Sequence, residues 1–135
     1  MASIRKEIRI NASASQIWDA LKDVGALHRR LVPGFVKDTK MEGNTRVVTF
    51  GNGMVAREEI VSIEPARQRV AWAVVGQQFR HYNGAAWVEA DPKGGSRFFW
   101  SADLLPDELA PQVEEMMTAG IEVVKHTLEA SAQAA

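Results

Sequence analysis

Residues Lys6-Glu7-Ile8-Arg9-Ile10 alternate polar and apolar, the two-residue period of a half-buried strand. The segment Asn11-Ala12-Ser13-Ala14-Ser15 interrupts that period and supplies helix-capping side chains. Beyond it, Ile17, Trp18 and Leu21 fall on one side of a helix that ends at Gly25. Residues 26–31 predict a second short helix before Pro33-Gly34. Six strand-like runs follow, at 35–41, 45–50, 54–63, 68–75, 79–90 and 97–105, each bounded by turn signals such as Gly51-Asn52-Gly53 or Asp91-Pro92-Lys93-Gly94-Gly95. Their short connections make them antiparallel neighbours. The chain then carries Leu109, Val113, Met116, Met117, Gly120, Ile121, Val124 and Leu128 at three- and four-residue steps. That spacing predicts one long helix over about 106–130, with Pro111 in its first turns and a frayed tail from about 131. The order strand, helix, helix, six strands, helix is that of an α+β layer, an antiparallel sheet covered by an amphipathic helix. With no repeat, linker or low-complexity stretch, residues 1–135 read as one domain.

Parity assigns the faces of the later strands. Even positions carry Val70, Trp72 and Val74, then Tyr82, Gly84, Ala86 and Val88, then Phe98, Trp100 and Ala102. Odd positions are mostly polar, so the even set faces the interior. Gly84 and Ala86 are small for a core position. Interiors pack at crystal-like density, so small residues are either filled by a neighbour or leave a hollow. Met116 and Met117 on the long helix are adaptable, Gly120 removes bulk, and Trp72, Tyr82 and Trp100 bring polar atoms that want partners. This mixture suits a ligand pocket between sheet and helix. Trp87 falls on the odd, outward parity and has no evident role.

Composition narrows the partners. Hydrophobic residues are 46% and charged residues 24%, values of an ordinary globular domain. Sixteen basic and seventeen acidic residues give a net charge of −1, without the basic excess that nucleic acid binding requires. No apolar run is long enough for a membrane span, and the first residues lack the apolar core of a signal peptide. The chain has no cysteine, which removes disulfides, thiolate metal sites and cysteine nucleophiles and suits a cytoplasmic protein. His28, His81 and His126 are scattered, and no serine lies in a nucleophile-elbow context. No metal or cofactor is therefore expected.

The most unusual local feature is Glu58-Glu59 inside a strand. Successive side chains point to opposite faces, so one glutamate must point inward. A buried carboxylate needs a cation or hydrogen bonds. Lys37 or Arg80, the latter on the parity of Tyr82, could supply the cation.

Four segments carry a family resemblance: "IRINASASQIWDALKDVGALHRRLVPGF", "GNGMVAREEIVSIEPARQRVAWAVV", "HYNGAAWVEA" and "SRFFWSADLLP". Over about residues 4–130 the chain resembles the START-like (SRPBCC, Bet v 1-like) superfamily. Within it the chain is most similar to bacterial polyketide cyclase/dehydrase-type proteins and more distantly to plant abscisic-acid receptors, whose receptor signature is absent here. The resemblance implies a helix-grip fold, a curved seven-stranded antiparallel sheet around a long C-terminal helix, with an apolar cavity between them. It implies that Glu58, Trp72, Tyr82 and Trp100 line that cavity, that Lys37 matches a pocket lysine, and that Gly51-Asn52-Gly53 falls at a gating loop. Together with Arg80, Gly84, Met116, Met117 and Gly120 these form the expected ligand-binding set. Glu58 is the sole catalytic candidate.

The functional expectation is a carrier or sensor of a small hydrophobic or aromatic molecule, as monomer or homodimer. One alternative is a cyclase, dehydratase or isomerase, in which Glu58 moves a proton while Tyr82 or Lys37 polarises a carbonyl. Another is a protein-interaction module, which an exposed apolar patch including Trp87 would favour.

Overall fold

The computed structural model describes residues 1–76 and 78–134. Strand β1 (Ala2–Ile10) leads through Ser13 into helix α1 (Ala14–Leu21). Ser13 Oγ accepts from the Gln16 N–H and Gln16 accepts from the Ser13 N–H, a capping box that sets the first turn. Strands β2 (Val36–Glu42), β3 (Thr45–Phe50), β4 (Val55–Glu64), β5 (Arg69–Val74), β6 (His81–Ala90) and β7 (Ser96–Leu105) follow. Helix α2 (Ala110–Ala134) closes the chain. All seven strands form one antiparallel sheet in the order β1-β7-β6-β5-β4-β3-β2. The curved sheet and long C-terminal helix make this the helix-grip START fold, α+β, as the order of elements predicts.

The second short helix is present but is not α-helical. It is a 3-10 turn (Val24–Ala26) followed by a π turn (Leu27–Leu31). The Val32 N–H donates to Leu27 O at 2.9 Å, the i→i+5 bond of a π turn, while Arg30 is tied back to Asp19 and Asp23. Helix α2 runs to Ala134, its alanine-rich end holding no glycine or proline to stop it.

The parity reading survives. Val70, Trp72, Tyr82, Ala86, Val88, Phe98, Ala102 and Leu104 are all buried on the concave face. They divide into two apolar clusters. One joins Ile17, Trp18 and Leu21 of α1 to Val70, Val88, Phe98 and the Ile121–Leu128 half of α2. The other gathers Ile4, Tyr82, Ala102 and Leu104 around Val113 and Met117. Helix α2 packs chiefly on β1, then on the π turn, and is stitched to β1 by Lys6–Glu114 and by Lys125 donating to Arg9 O, both at 2.8 Å. That one-sided seating leaves its Gln112–Ala119 stretch standing off from β3, β4 and β5, and a cavity opens there.

Trp87 gains an account on the convex face. Its ring stacks on Phe99 with centroids 5.2 Å apart and planes 9° apart, and the Arg5 guanidinium covers both rings at 5.4 and 5.1 Å. Its indole N–H donates to Glu89. The aromatic pair is capped by a cation and is not a bare patch.

Candidate functional site

The cavity has a volume of about 580 Å³. Phe50 and Met54 of the β3–β4 hairpin, Val74 of β5, Phe79 before β6 and Met116 of α2 give it apolar walls. Glu58 and Tyr82 add the polar groups that reach it from the sheet. Behind it lies an annex of about 70 Å³, where Trp72 and Trp100 border the space together with Val48. Phe35, Phe50, Glu58, Tyr82 and Met116 line both chambers and form the partition between them. Phe35 and Phe50 meet edge to face there, with centroids 5.8 Å apart.

Glu58 points inward and Arg57 and Glu59 point outward, as expected of the paired glutamates. The cation beside Glu58, however, is Arg46, which lies opposite it in the β3–β4 register. Arg46 Nη2 and Nε reach Glu58 Oε1 at 2.7 and 2.9 Å, so both contacts use the same carboxylate oxygen. Arg46 Nη1 donates to Val24 O at 3.3 Å, and the guanidinium lies over the Trp72 ring at 5.5 Å. The two side chains are only 5% and 11% exposed. A buried charge is tolerable because it is paired and hydrogen-bonded; either partner alone would be an uncompensated ion.

Tyr82 is buried, and its hydroxyl makes no hydrogen bond among the described residues. Burial first, and the Glu58 charge second, push its phenol above the ordinary tyrosine range. The hydroxyl is therefore a standing donor. Trp100 Nε1 is likewise buried without an acceptor among the described residues. Among those residues, no three His, Cys, Asp or Glu side chains converge as metal ligands. None of their helices is long and apolar enough to cross a membrane.

The sequence-predicted residues separate into three groups. Glu58, Tyr82 and Met116 line both chambers, whereas Trp72 and Trp100 line the annex alone. Gly84 and Gly120 do not border either chamber; they seat the tryptophans. A Cβ on Gly84 would sit 2.5–2.7 Å from three Trp72 indole atoms, and one on Gly120 would sit 2.8 Å from Trp100 Cζ3. The small residues on the sheet and helix are thus filled by aromatic neighbours, and the cavity lies elsewhere. Met117 is fully buried in the second apolar cluster, away from both chambers.

Lys37 and Arg80 are exposed and neither contacts Glu58. The register shifts between Val36 and Asp38, which leaves Lys37 as the extra residue of a bulge. Arg80 precedes the start of β6, so the parity of Tyr82 does not extend to it. Arg46 is the charged lining residue missed, and it was within reach: in Thr45–Phe50 it shares the parity of Val48 and Phe50.

Comparison with solved structures places the fold. An uncharacterized protein of Bacillus thuringiensis superposes with a TM-score of 0.83 at 17% identity, covering 94% of this chain and 98% of that one. XoxI of Bacillus cereus gives 0.82 at 15% identity over 98% and 96% of the two chains. A START superfamily protein of Mycobacterium smegmatis gives 0.73 at 14% identity over 97% of each. A comparison with curated proteins finds no match. Residues 1–134 match the family described as polyketide cyclase / dehydrase and lipid transport, and the chain belongs to that family.

Proposed function

We propose that the chain binds a small hydrophobic or aromatic molecule in the cavity between the sheet and α2, as a carrier or sensor. The observation that carries this reading is the cavity of about 580 Å³ with its apolar walls and its two inward polar groups. Small-molecule sites typically span roughly 300–1,000 Å³ and combine apolar walls with a few convergent polar atoms. The carrier reading is preferred to an enzymatic one because acid–base enzymes more often show two titratable groups tuned apart. Here Glu58 is committed to Arg46, and Lys37 and Arg80 stand outside the cavity.

Native mass spectrometry of protein purified without detergent tests the reading. The expected result is a bound small molecule that is released on denaturation and absent from an Ala119→Trp variant, whose indole would fill the cavity beside Met116. A protein that carries no small molecule and binds no naphthalene-sized apolar probe would overturn it. Chemical conversion of a bound polyketide-like compound, instead of its release unchanged, would favour the enzymatic alternative.

A further inference from the structure

The charges around the larger chamber are one-sided. Its lining holds two carboxylates, Glu58 and Glu115, and no lysine or arginine among the described residues. Arg46 borders only the annex, and its contacts go to Glu58 Oε1, Val24 O and the Trp72 ring. Because both Arg46 contacts use Oε1, Glu58 Oε2 is left without a partner among the described residues. The annex itself, at about 70 Å³, has room for about two waters' share of liquid volume, too little for an aryl carboxylate to turn toward the guanidinium.

A ligand entering from the larger chamber therefore meets a carboxylate oxygen and a protonated phenol before it meets any cation. A carboxylate oxygen accepts hydrogen bonds and cannot donate one. It rewards a hydroxyl or N–H with a charge-assisted bond and repels an anion in a poorly solvated space. Arg46 neutralises that charge from the annex side, so the chamber faces the negative end of an ion pair, and the donors at its edge, Asn52, Gln78 and Gln112, are neutral.

Resting on the cavity-binding function argued above, we propose that the site selects an uncharged ligand bearing a hydroxyl or amide N–H. The ligand gives that hydrogen to Glu58 Oε2, and the carboxylate form of the same skeleton is excluded. Tyr82 Oη serves as a second anchor, donating to an oxygen on the ligand.

Titration calorimetry at neutral pH with four probes of one skeleton tests this: naphthol, naphthyl methyl ether, naphthoate and naphthalene, substituted at the same ring position. Naphthol is expected to bind on the order of tenfold or more tighter than the ether, the usual worth of a hydrogen bond to a charged group. It should exceed naphthoate by at least as much. In Glu58→Gln the naphthol advantage should shrink to that of a neutral hydrogen bond and naphthoate should gain, because the repelling carboxylate is gone. The wild-type series stands as a test even if that variant does not fold. Naphthalene binding with naphthol no better than the ether, or with naphthoate as tight as naphthol, would overturn the selectivity alone. Binding of none of the four would overturn it together with the cavity reading on which it rests.

Discussion

Replacing Arg46 by methionine keeps most of the side-chain volume and removes the one cation that touches Glu58 among the described residues. The two side chains are 5% and 11% exposed, so the abandoned carboxylate cannot recover its hydration without opening the sheet. Breaking a pair this deeply buried costs about 3–5 kcal/mol, against about 0–1 kcal/mol for an exposed pair. Loss of the guanidinium over Trp72 adds about 0.5–1 kcal/mol. For a chain of this size each kcal/mol lowers Tm by about 3–5 °C, so Arg46→Met should melt about 10–30 °C below wild type. The double variant Arg46→Met/Glu58→Leu removes both charges and should return to within about 1 kcal/mol of wild type, since burying no ion is as good as burying a pair. Urea unfolding of the four proteins of this cycle, followed by far-UV circular dichroism, gives the coupling energy directly. A coupling below about 1 kcal/mol would refute the argument, because the pair would then behave as a solvated one.

Three further outcomes are expected. Gly84→Ala drives a methyl to within 2.5–2.7 Å of the Trp72 indole; overpacking of this kind costs about 1–3 kcal/mol in urea unfolding, and an unchanged stability would mean the ring has free space to move. Ala119→Trp, from an exposed helix position that borders the larger chamber, should abolish binding of naphthalene-type probes while leaving the thermal melt within about 0.5 kcal/mol of wild type. Asp91 is held below its ordinary value of 3.8, first by the Lys93 N–H and then by the charges of Arg97 and Arg9. A depressed carboxylate contributes stability above its unfolded value and loses it as pH falls through the folded one. The gap in Tm between wild type and Asp91→Asn should therefore hold steady from neutrality down to about pH 5 and close below about pH 4; a gap that does not close with acid would contradict the assignment.

What the sequence disclosed follows the reach of each physical signal. The β6–β7 register runs unbroken from the His81–Leu105 pair to the Ala90–Ser96 pair, and there the inward set was legible from the even positions despite the apolar Ala85, Trp87 and Phe99 on the odd ones. The alternation fails where a strand carries an extra residue. The bulge at Lys37 leaves no composition cue, so an inward lysine was expected where an exposed one stands. Small residues announce only that side-chain volume is missing. Whether Gly84 opens a pocket depends on its cross-strand partner, and that partner is Trp72, a fact of register that alternation does not carry. The Glu58 carboxylate was legible, but its counterion was sought among residues of other strands. The adjacent strand held it, on the inward parity of Thr45–Phe50. The cavity itself is a product of tertiary placement: α2 sits chiefly against β1, at one edge of the sheet, and no local pattern states which half of a helix will stand away from its sheet.

A small uncharged molecule is expected to occupy the space bounded by Glu58, Tyr82, Phe50 and Met116. Titration of isotopically labelled protein with naphthol, followed by two-dimensional amide and methyl NMR, tests it most directly. The account predicts shifts centred on those four residues, with intermolecular contacts from the Met116 methyl to the naphthol ring. Shifts centred instead on the convex face around Trp87 and Phe99, or none at saturating naphthol, would contradict it.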